Sequence, residues 1–330
     1  MKNVSTKLAK GLFLRGIRNL TTQKPLAISF EVTHSCNANC SHCDKNGIIP
    51  DENLAPPEKF DEVYQQLHPL FAQVSGGEPL LREDCFEIVK LFRSHGTLPM
   101  VAFVSNAALM TPDKYRELKD AGVDQFTFSL DFPDERHDEN RKIPGLYKHL
   151  SDVVPKMTAM GFYDIAMISV IRNQNLPYLI DIAKKAFEWG TSITFSSYTQ
   201  LRTNSDEHSI KSEEDLQLLR DQVGRLIEMR RQGAPIFNTE NVFKGMIKFF
   251  ETNHIPNCRT GIRHLVVNPD GSLVPCAMHQ VNFNNQKDLI KNFTKKNTCG
   301  ACYVPLRANT EMSLSHFWND LVVEYFKKRN

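Results

Sequence analysis

From residue 26 to about residue 197 the chain alternates short β-branched and aromatic runs with amphipathic stretches, and this alternation restricts its fold more than any other feature. The runs at 26–32, 70–74, 101–104, 125–130, 165–170 and 191–195 read as six strands. A helix is expected after Pro56-Pro57, another over 82–95, and a third opened by Thr111-Pro112, a capping residue followed by proline in the first turn. Strands separated by helices of about 10–15 residues form βαβ units around a parallel sheet. Six such units make an α/β fold, a partial (β/α)6 TIM-like barrel. Chemistry in parallel α/β folds sits at the C-terminal ends of the strands. Here the glycines, serines and cysteines with chemical potential directly follow strands.

The pattern changes further on. Residues 198–212 read as a polar loop and 212–232 as a charged amphipathic helix. Arg263 to Pro275 reads as a hairpin turning at Asn268-Pro269-Asp270-Gly271. The expected organisation is an arm at 1–25, a barrel with its following helix at 26–240, a small hairpin-containing domain at 241–303, and a helical segment at 304–330.

Eight cysteines in 330 residues are too few for a secreted disulfide scaffold, and seven of them cluster. In a reducing compartment clustered cysteines read first as metal ligands. No segment reaches the roughly 18 consecutive apolar residues of a membrane span, and no cleavable signal is recognisable. A cytoplasmic protein is expected. The formal net charge of +2 gives no reason to expect nucleic acid. Cys85, alone in a helical pattern, reads as a small buried apolar residue.

Cys36-x3-Cys40-x2-Cys43 sits in the loop after the first strand. Structural zinc normally takes four protein ligands, so a zinc reading needs His34 or His42 as the fourth. A four-iron cluster held by three cysteines leaves one iron open to a substrate. One strand later comes Ser75-Gly76-Gly77-Glu78-Pro79, whose glycines let backbone approach a ligand closely. A carboxylate there can accept a hydrogen bond from an ammonium group.

A three-cysteine loop followed one strand later by Gly-Gly-Glu-Pro resembles the radical S-adenosylmethionine enzymes. The resemblance implies a [4Fe-4S] cluster on Cys36, Cys40 and Cys43, with S-adenosylmethionine chelated to its open iron. It implies that Gly76, Gly77, Glu78 and Pro79 hold the methionine amine. Ser105-Asn106, after the third strand, is similar to the Thr-Asn or Ser-Asn that contacts the cofactor. Ser129-Leu130-Asp131, with His137-Asp138 and Arg141, resembles a stretch of the maturase members, which makes Ser129 and Arg141 cofactor contacts. For Asp131, His137 and Asp138 a solvated acidic loop is the alternative. Two departures stand out. His42 occupies the position of the usual aromatic residue before the third cysteine, where its ring can still pack on adenine. Phe132-Pro133 replaces the glycine common after the aspartate in maturases.

Cys258 and Cys276 bracket the hairpin, and Cys299-Gly300-Ala301-Cys302 follows. Four cysteines complete a tetrahedral set for zinc, or for an auxiliary [4Fe-4S] cluster with no open site. After a barrel of this family the arrangement resembles the twitch domain, the shortened relative of the SPASM domain, and implies the auxiliary cluster in a redox role.

The family resemblance implies reductive cleavage of S-adenosylmethionine to a 5′-deoxyadenosyl radical that abstracts hydrogen from an unactivated C–H bond. It also implies an electron donor such as flavodoxin or ferredoxin. Oxidation or crosslinking of a peptide or small natural product is the expected outcome, with a lipid substrate as the alternative. A non-catalytic zinc or iron–sulfur scaffold is the rival of another class. Arg172, Tyr198 and Gln200 are candidates for lining the substrate cavity. Residues 4–20 gather Val4, Leu8, Leu12, Phe13, Ile17 and Leu20 roughly on one face, with bases elsewhere. Such a helix either docks on the barrel or lies on an anionic membrane. Sedimentation with anionic vesicles, with and without residues 1–20, separates the two.

Overall fold

A computed structural model describes residues 6–311 of the chain. In chain order the elements are α1 (Thr6–Thr21), β1 (Ala27–Thr33), α2 (Pro57–Leu67), β2 (Phe71–Gly76), α3 (Cys85–Ser94), β3 (Met100–Ser105), α4 (Pro112–Ala121), β4 (Gln125–Ser129), α5 (Arg136–Arg141) and α6 (Leu146–Thr158). They continue with β5 (Ile165–Ile171), α7 (Leu179–Glu188), β6 (Ser192–Ser197), α8 (Glu213–Arg231), α9 (Glu240–Thr252), β7 (His264–Val267), β8 (Leu273–Val274), α10 (Gln286–Asn292) and α11 (Pro305–Thr310).

The eight strands form one sheet in the order β6-β5-β4-β3-β2-β1-β7-β8. Neighbours from β6 through β1 to β7 are parallel, and β8 runs antiparallel to β7. The sheet does not close, so the partial barrel expected from the alternation is the observed one. The hairpin pairs as expected: Gly271 N donates to Asn268 O at 2.8 Å, and the φ of +81° at Gly271 is one that glycine adopts without penalty. What its sequence does not convey is where it goes. β7 pairs with β1 in register Ala27 to His264, so the hairpin extends the barrel sheet.

Period-two alternation divides each strand between two environments. Ile28, Phe30 and Val32 of β1 are fully buried toward the helices, where Phe30 stacks against Phe60 of α2 and Phe92 of α3. Ser29 and Glu31, with Gln73 and Ser75 of β2, turn inward and line the lumen. The lumen sets these hydroxyls, an amide and an acid among apolar residues such as Phe71, Val104 and Ile168, whereas the outer face is core.

The N-terminal helix docks. Leu12 packs with Leu26, Leu70, Leu98 and Met100, residues at or just before the starts of β1, β2 and β3, so α1 covers that end of the barrel. Asn19 Nδ2 fastens it by donating to Pro25 O at 2.8 Å and His68 O at 2.9 Å. Its outward stripe carries Phe13, Leu14 and Ile17, exposed between Lys10 and Arg18. No helix among the described residues is long and apolar enough to cross a membrane. Residues 1–5 of the arm and 312–330 of the expected C-terminal segment lie outside the described residues.

Candidate active site

The loop after β1 carries the first three cysteines, and hydrogen bonds tie it to the ends of β1 and β2. Cys36 N donates to Gly47 O at 2.8 Å, Gly77 N to Thr33 O at 2.8 Å, and Glu78 N to Ser35 O at 2.9 Å. The loop has no room for a side chain at Gly77, because a Cβ there would meet Ser35 C at 2.6 Å and His34 O at 2.7 Å. The two glycines are therefore required by packing, whatever they also do for a ligand.

Each sulfur of this loop is offered an N–H donor. Cys36 Sγ accepts from Ala38 N at 3.4 Å and Asn106 Nδ2 at 3.8 Å, Cys43 Sγ from Lys45 N at 3.4 Å, and Cys40 Sγ from Arg141 Nη1 at 3.9 Å. Amides aimed at sulfur stabilise thiolate and are the expected surroundings of thiolate–metal ligands. Burial raises Cys36 to about 11 and also raises Cys40, where Arg141 pulls the other way. A cationic metal centre overcomes that penalty. Among the described residues, no group of three or more His, Cys, Asp and Glu converges tightly enough for a single metal ion. The donor set, three thiols around one hollow, suits a multi-iron centre.

That hollow is a cavity of about 240 Å³. Its wall includes Cys36, Cys40, Cys43, His42, Gly76, Gly77, Ser105, Asn106, Ser129 and Arg141, residues drawn from the ends of four strands. Tyr198 and Arg202 from the 198–212 loop close it on one side, with Met278 and Val304. Tyr198 thus lines the cavity, whereas Gln200 is exposed and Arg172 is buried behind the wall, donating to Asn140 Oδ1 at 2.7 Å.

Glu78 stands apart from this wall. Its carboxylate is fully buried and accepts from Ser105 Oγ at 2.8 and 2.9 Å, Asn106 N at 2.8 Å and Leu80 N at 3.1 Å. Burial raises its pKa while these donors oppose the rise. In this structure it fixes Ser105-Asn106, and so aims Asn106 at Cys36. Pro79 opens a 3-10 turn, Pro79–Leu81, and the strand before it stops at Gly76.

Behind Arg141 lies a charged cluster that is not a solvated loop. Asp131 is fully buried and pairs with Arg141 Nη2 at 2.6 Å, while accepting from Asn140 Nδ2 at 2.8 Å and Val170 N at 3.0 Å. Burial alone would raise its pKa, but the charges of Arg141 and Arg172 outweigh it and hold the carboxyl well below the usual range. His137, also buried, accepts from Asp131 N at 3.1 Å, and burial lowers it to about 4. Asp138 accepts from Gly145 N at 2.7 Å and Tyr147 N at 2.6 Å, fixing the entry to α6. Burial leaves His42 neutral at the cavity wall, its Nε2 4.0 Å from Asp131. Phe132, at the departure from the maturase pattern, packs on Tyr178 at 6.1 Å between ring centres.

A second cavity of about 580 Å³ fills the lumen and is lined by all four remaining clustered cysteines, Cys258, Cys276, Cys299 and Cys302. Backbone amides again face the sulfurs: Thr260 for Cys258, Met278 for Cys276, Ala301 for Cys299 and Val304 for Cys302. Burial raises Cys258 and Cys276 to about 12, whereas a hydrogen bond from His279 lowers Cys299. The two cavities share Ser75, Gly76, Val104, Ile168, Ser196, Arg202, Met278 and Val304. Cys85 lines neither and is buried in the core at the start of α3. Sequence reasoning missed Glu31, Lys45, Arg202 and Arg307. An acid inside an apolar strand was a signal for Glu31, and nothing local marks Arg307.

The fold is an open parallel barrel of the TIM-like class with a three-thiol cavity at its strand ends. Residues 30–186 match the model of the Radical SAM superfamily. The chain is 31% identical over 175 residues to the AdoMet-dependent heme synthase of Methanosarcina barkeri, covering 51% of this chain and 45% of that protein. It is 23% identical over 172 residues to the mycofactocin maturase MftC of Mycolicibacterium smegmatis, covering 51% and 43%. The crystal structure of Streptococcus suis SuiB bound to precursor peptide SuiA matches with a TM-score of 0.65 at 16% identity, over 88% of this chain and 70% of SuiB. The chain spans less than half the length of the two curated relatives. Residues 30–186, just under half of the chain, are a Radical SAM domain, and the members of that superfamily are enzymes.

Proposed function

We propose that this chain cleaves S-adenosylmethionine reductively at a [4Fe-4S] centre on Cys36, Cys40 and Cys43, and tailors a peptide or small natural product at an unactivated C–H bond. The observation that carries this is the single cavity in which three thiols, each facing an N–H donor, meet Gly76, Gly77, Ser105, Asn106, Ser129 and Arg141. When bound, such a centre would supply the electron for reductive cleavage of the sulfonium, and with it the means to take hydrogen from the substrate. The chain's own part is to bind, orient and enclose. Gly76 and Gly77 admit the methionine backbone, Ser129 and Arg141 contact its carboxylate or ribose, and His42 offers a neutral ring to the adenine. Glu78 supports this wall by fixing Ser105-Asn106.

The substrate belongs in the larger cavity, whose volume is that of a small-molecule site and whose wall presents Ser29, Gln73, Thr127, Thr194 and Asn238. A peptide substrate gains support from the maturase relative and from the neighbour solved with its precursor peptide. A cofactor precursor gains it from the heme synthase. Cys258, Cys276, Cys299 and Cys302 hold an auxiliary [4Fe-4S] centre in a twitch-like module at 241–303, placed to take an electron from the substrate. Replacing Cys276 by Ala tests this division. The variant should fall from about eight irons per chain to about four and still form 5′-deoxyadenosine, while losing the tailored product. Full iron content in the variant would remove Cys276 from the ligand set.

A further inference from the structure

Arg307 is among the largest fully buried side chains, 1% exposed, and it lines the larger cavity. Its Nη1 donates to Cys302 O at 2.7 Å and to Cys302 Sγ at 3.9 Å. Its Nη2 donates to Pro256 O at 3.1 Å and to Ile255 O, just before Cys258 in the chain. One guanidinium thus joins the loops of two cysteines. Among the described residues the only carboxylate paired with it, Glu311, stands off at 3.5 Å from Nε. Arg141, beside Cys40 in the other site, is instead matched by the fully buried Asp131 at 2.6 Å. Burying a cation costs several kcal/mol unless an anion compensates it. Carbonyls and a loosely placed carboxylate compensate only part of that cost, and thiolates bound to a metal centre would supply the rest.

We propose that Arg307 sets the reduction potential of the second thiolate site, its buried charge and its hydrogen bond to Cys302 raising that potential; this rests on the reading of the site as an iron–sulfur centre. Hydrogen bonds to cysteine sulfur and local net charge are main determinants of such potentials. One-electron reduction makes a four-thiolate centre more negative by one charge, and a fixed cation stabilises the reduced form more than the oxidised. With the charge of Arg141 cancelled by Asp131, the asymmetry favours electron flow from the substrate side into the second site. Arg307 acts through the thiolates and is a positioning residue in this account.

The test is a redox titration of iron-loaded protein followed by electron paramagnetic resonance, for wild type, Arg307→Gln and Arg307→Lys. Arg307→Gln should keep its iron and shift the oxidised-to-reduced ratio of the second signal at least tenfold at the wild-type midpoint, ~59 mV downward for a one-electron couple. The first signal should not move, and Arg307→Lys should recover most of the shift. An unmoved second signal in Arg307→Gln, or equal loss of second-site iron in both variants, overturns the proposal and leaves Arg307 a clamp. Wild-type protein with one signal and about four irons would instead refute the two-centre reading.

Discussion

Gly77→Ala should cost about 3 kcal/mol or more, the range of severe backbone substitutions, and should leave the first site unable to bind iron. The added Cβ would meet Ser35 C at 2.6 Å and His34 O at 2.7 Å, and these are backbone atoms that cannot rotate away. The same segment holds Gly77 N on Thr33 O and Glu78 N on Ser35 O, so relieving the clash separates β2 from the cysteine loop. Urea unfolding of the apoprotein and iron content after reconstitution both read the effect. Gly224→Ala is the matched control: it lies inside α8 with no atom within 4 Å of a built Cβ, and should be neutral or gain up to about 1 kcal/mol. A Gly77→Ala protein with wild-type iron and an unshifted midpoint would show that the loop is not packed as described.

Asp131→Ala should be the second severe change, destabilising the apoprotein by about 3–5 kcal/mol because it strands a buried charge. It removes the partner of Arg141 at 2.6 Å and the acceptor for Asn140 and the Val170 amide. Asp131→Asn keeps the shape and should cost less. The pH dependence has a definite sign. The folded carboxyl titrates below its unfolded value, so its contribution is complete above about pH 4, the unfolded aspartate range, and is lost as pH falls below it. Denaturation at neutral pH is therefore the informative measurement. Equal stability of Asp131→Ala and wild type there would mean that Arg141 finds another anion.

The sequence exposes those features whose cause is local. All six barrel strands lie where β-branched and aromatic runs end at helices, with β3 and β6 longer than their runs because residues such as Ser105 and Ser197 continue the pairing without apolar side chains. The Thr111 cap is observed, its hydroxyl accepting from Lys114 N at 3.2 Å. The first cysteines and the Gly-Gly pair could be placed in one cavity because both follow adjacent parallel strands. Features that depend on tertiary partners were not legible. Glu78 reads in the sequence as an acceptor for an ammonium group, and the partners that come to it from β3, Ser105 and Asn106, leave no local signal. The sequence leaves a solvated loop open for Asp131 because its partners, Val170 and Asn140, are distant in sequence or reversed by α5. The pairing of β7 with β1 joins residues more than two hundred apart, which no local pattern encodes.

The most direct test of the central claim is 5′-deoxyadenosine formation from S-adenosylmethionine, with protein purified without oxygen, reconstituted with iron and sulfide, and reduced. Wild type should release 5′-deoxyadenosine and contain about eight irons per chain; Cys43→Ala should release none while keeping the second site's iron. A wild-type protein that binds only zinc and forms no 5′-deoxyadenosine would contradict the account and leave a metal-binding scaffold in its place.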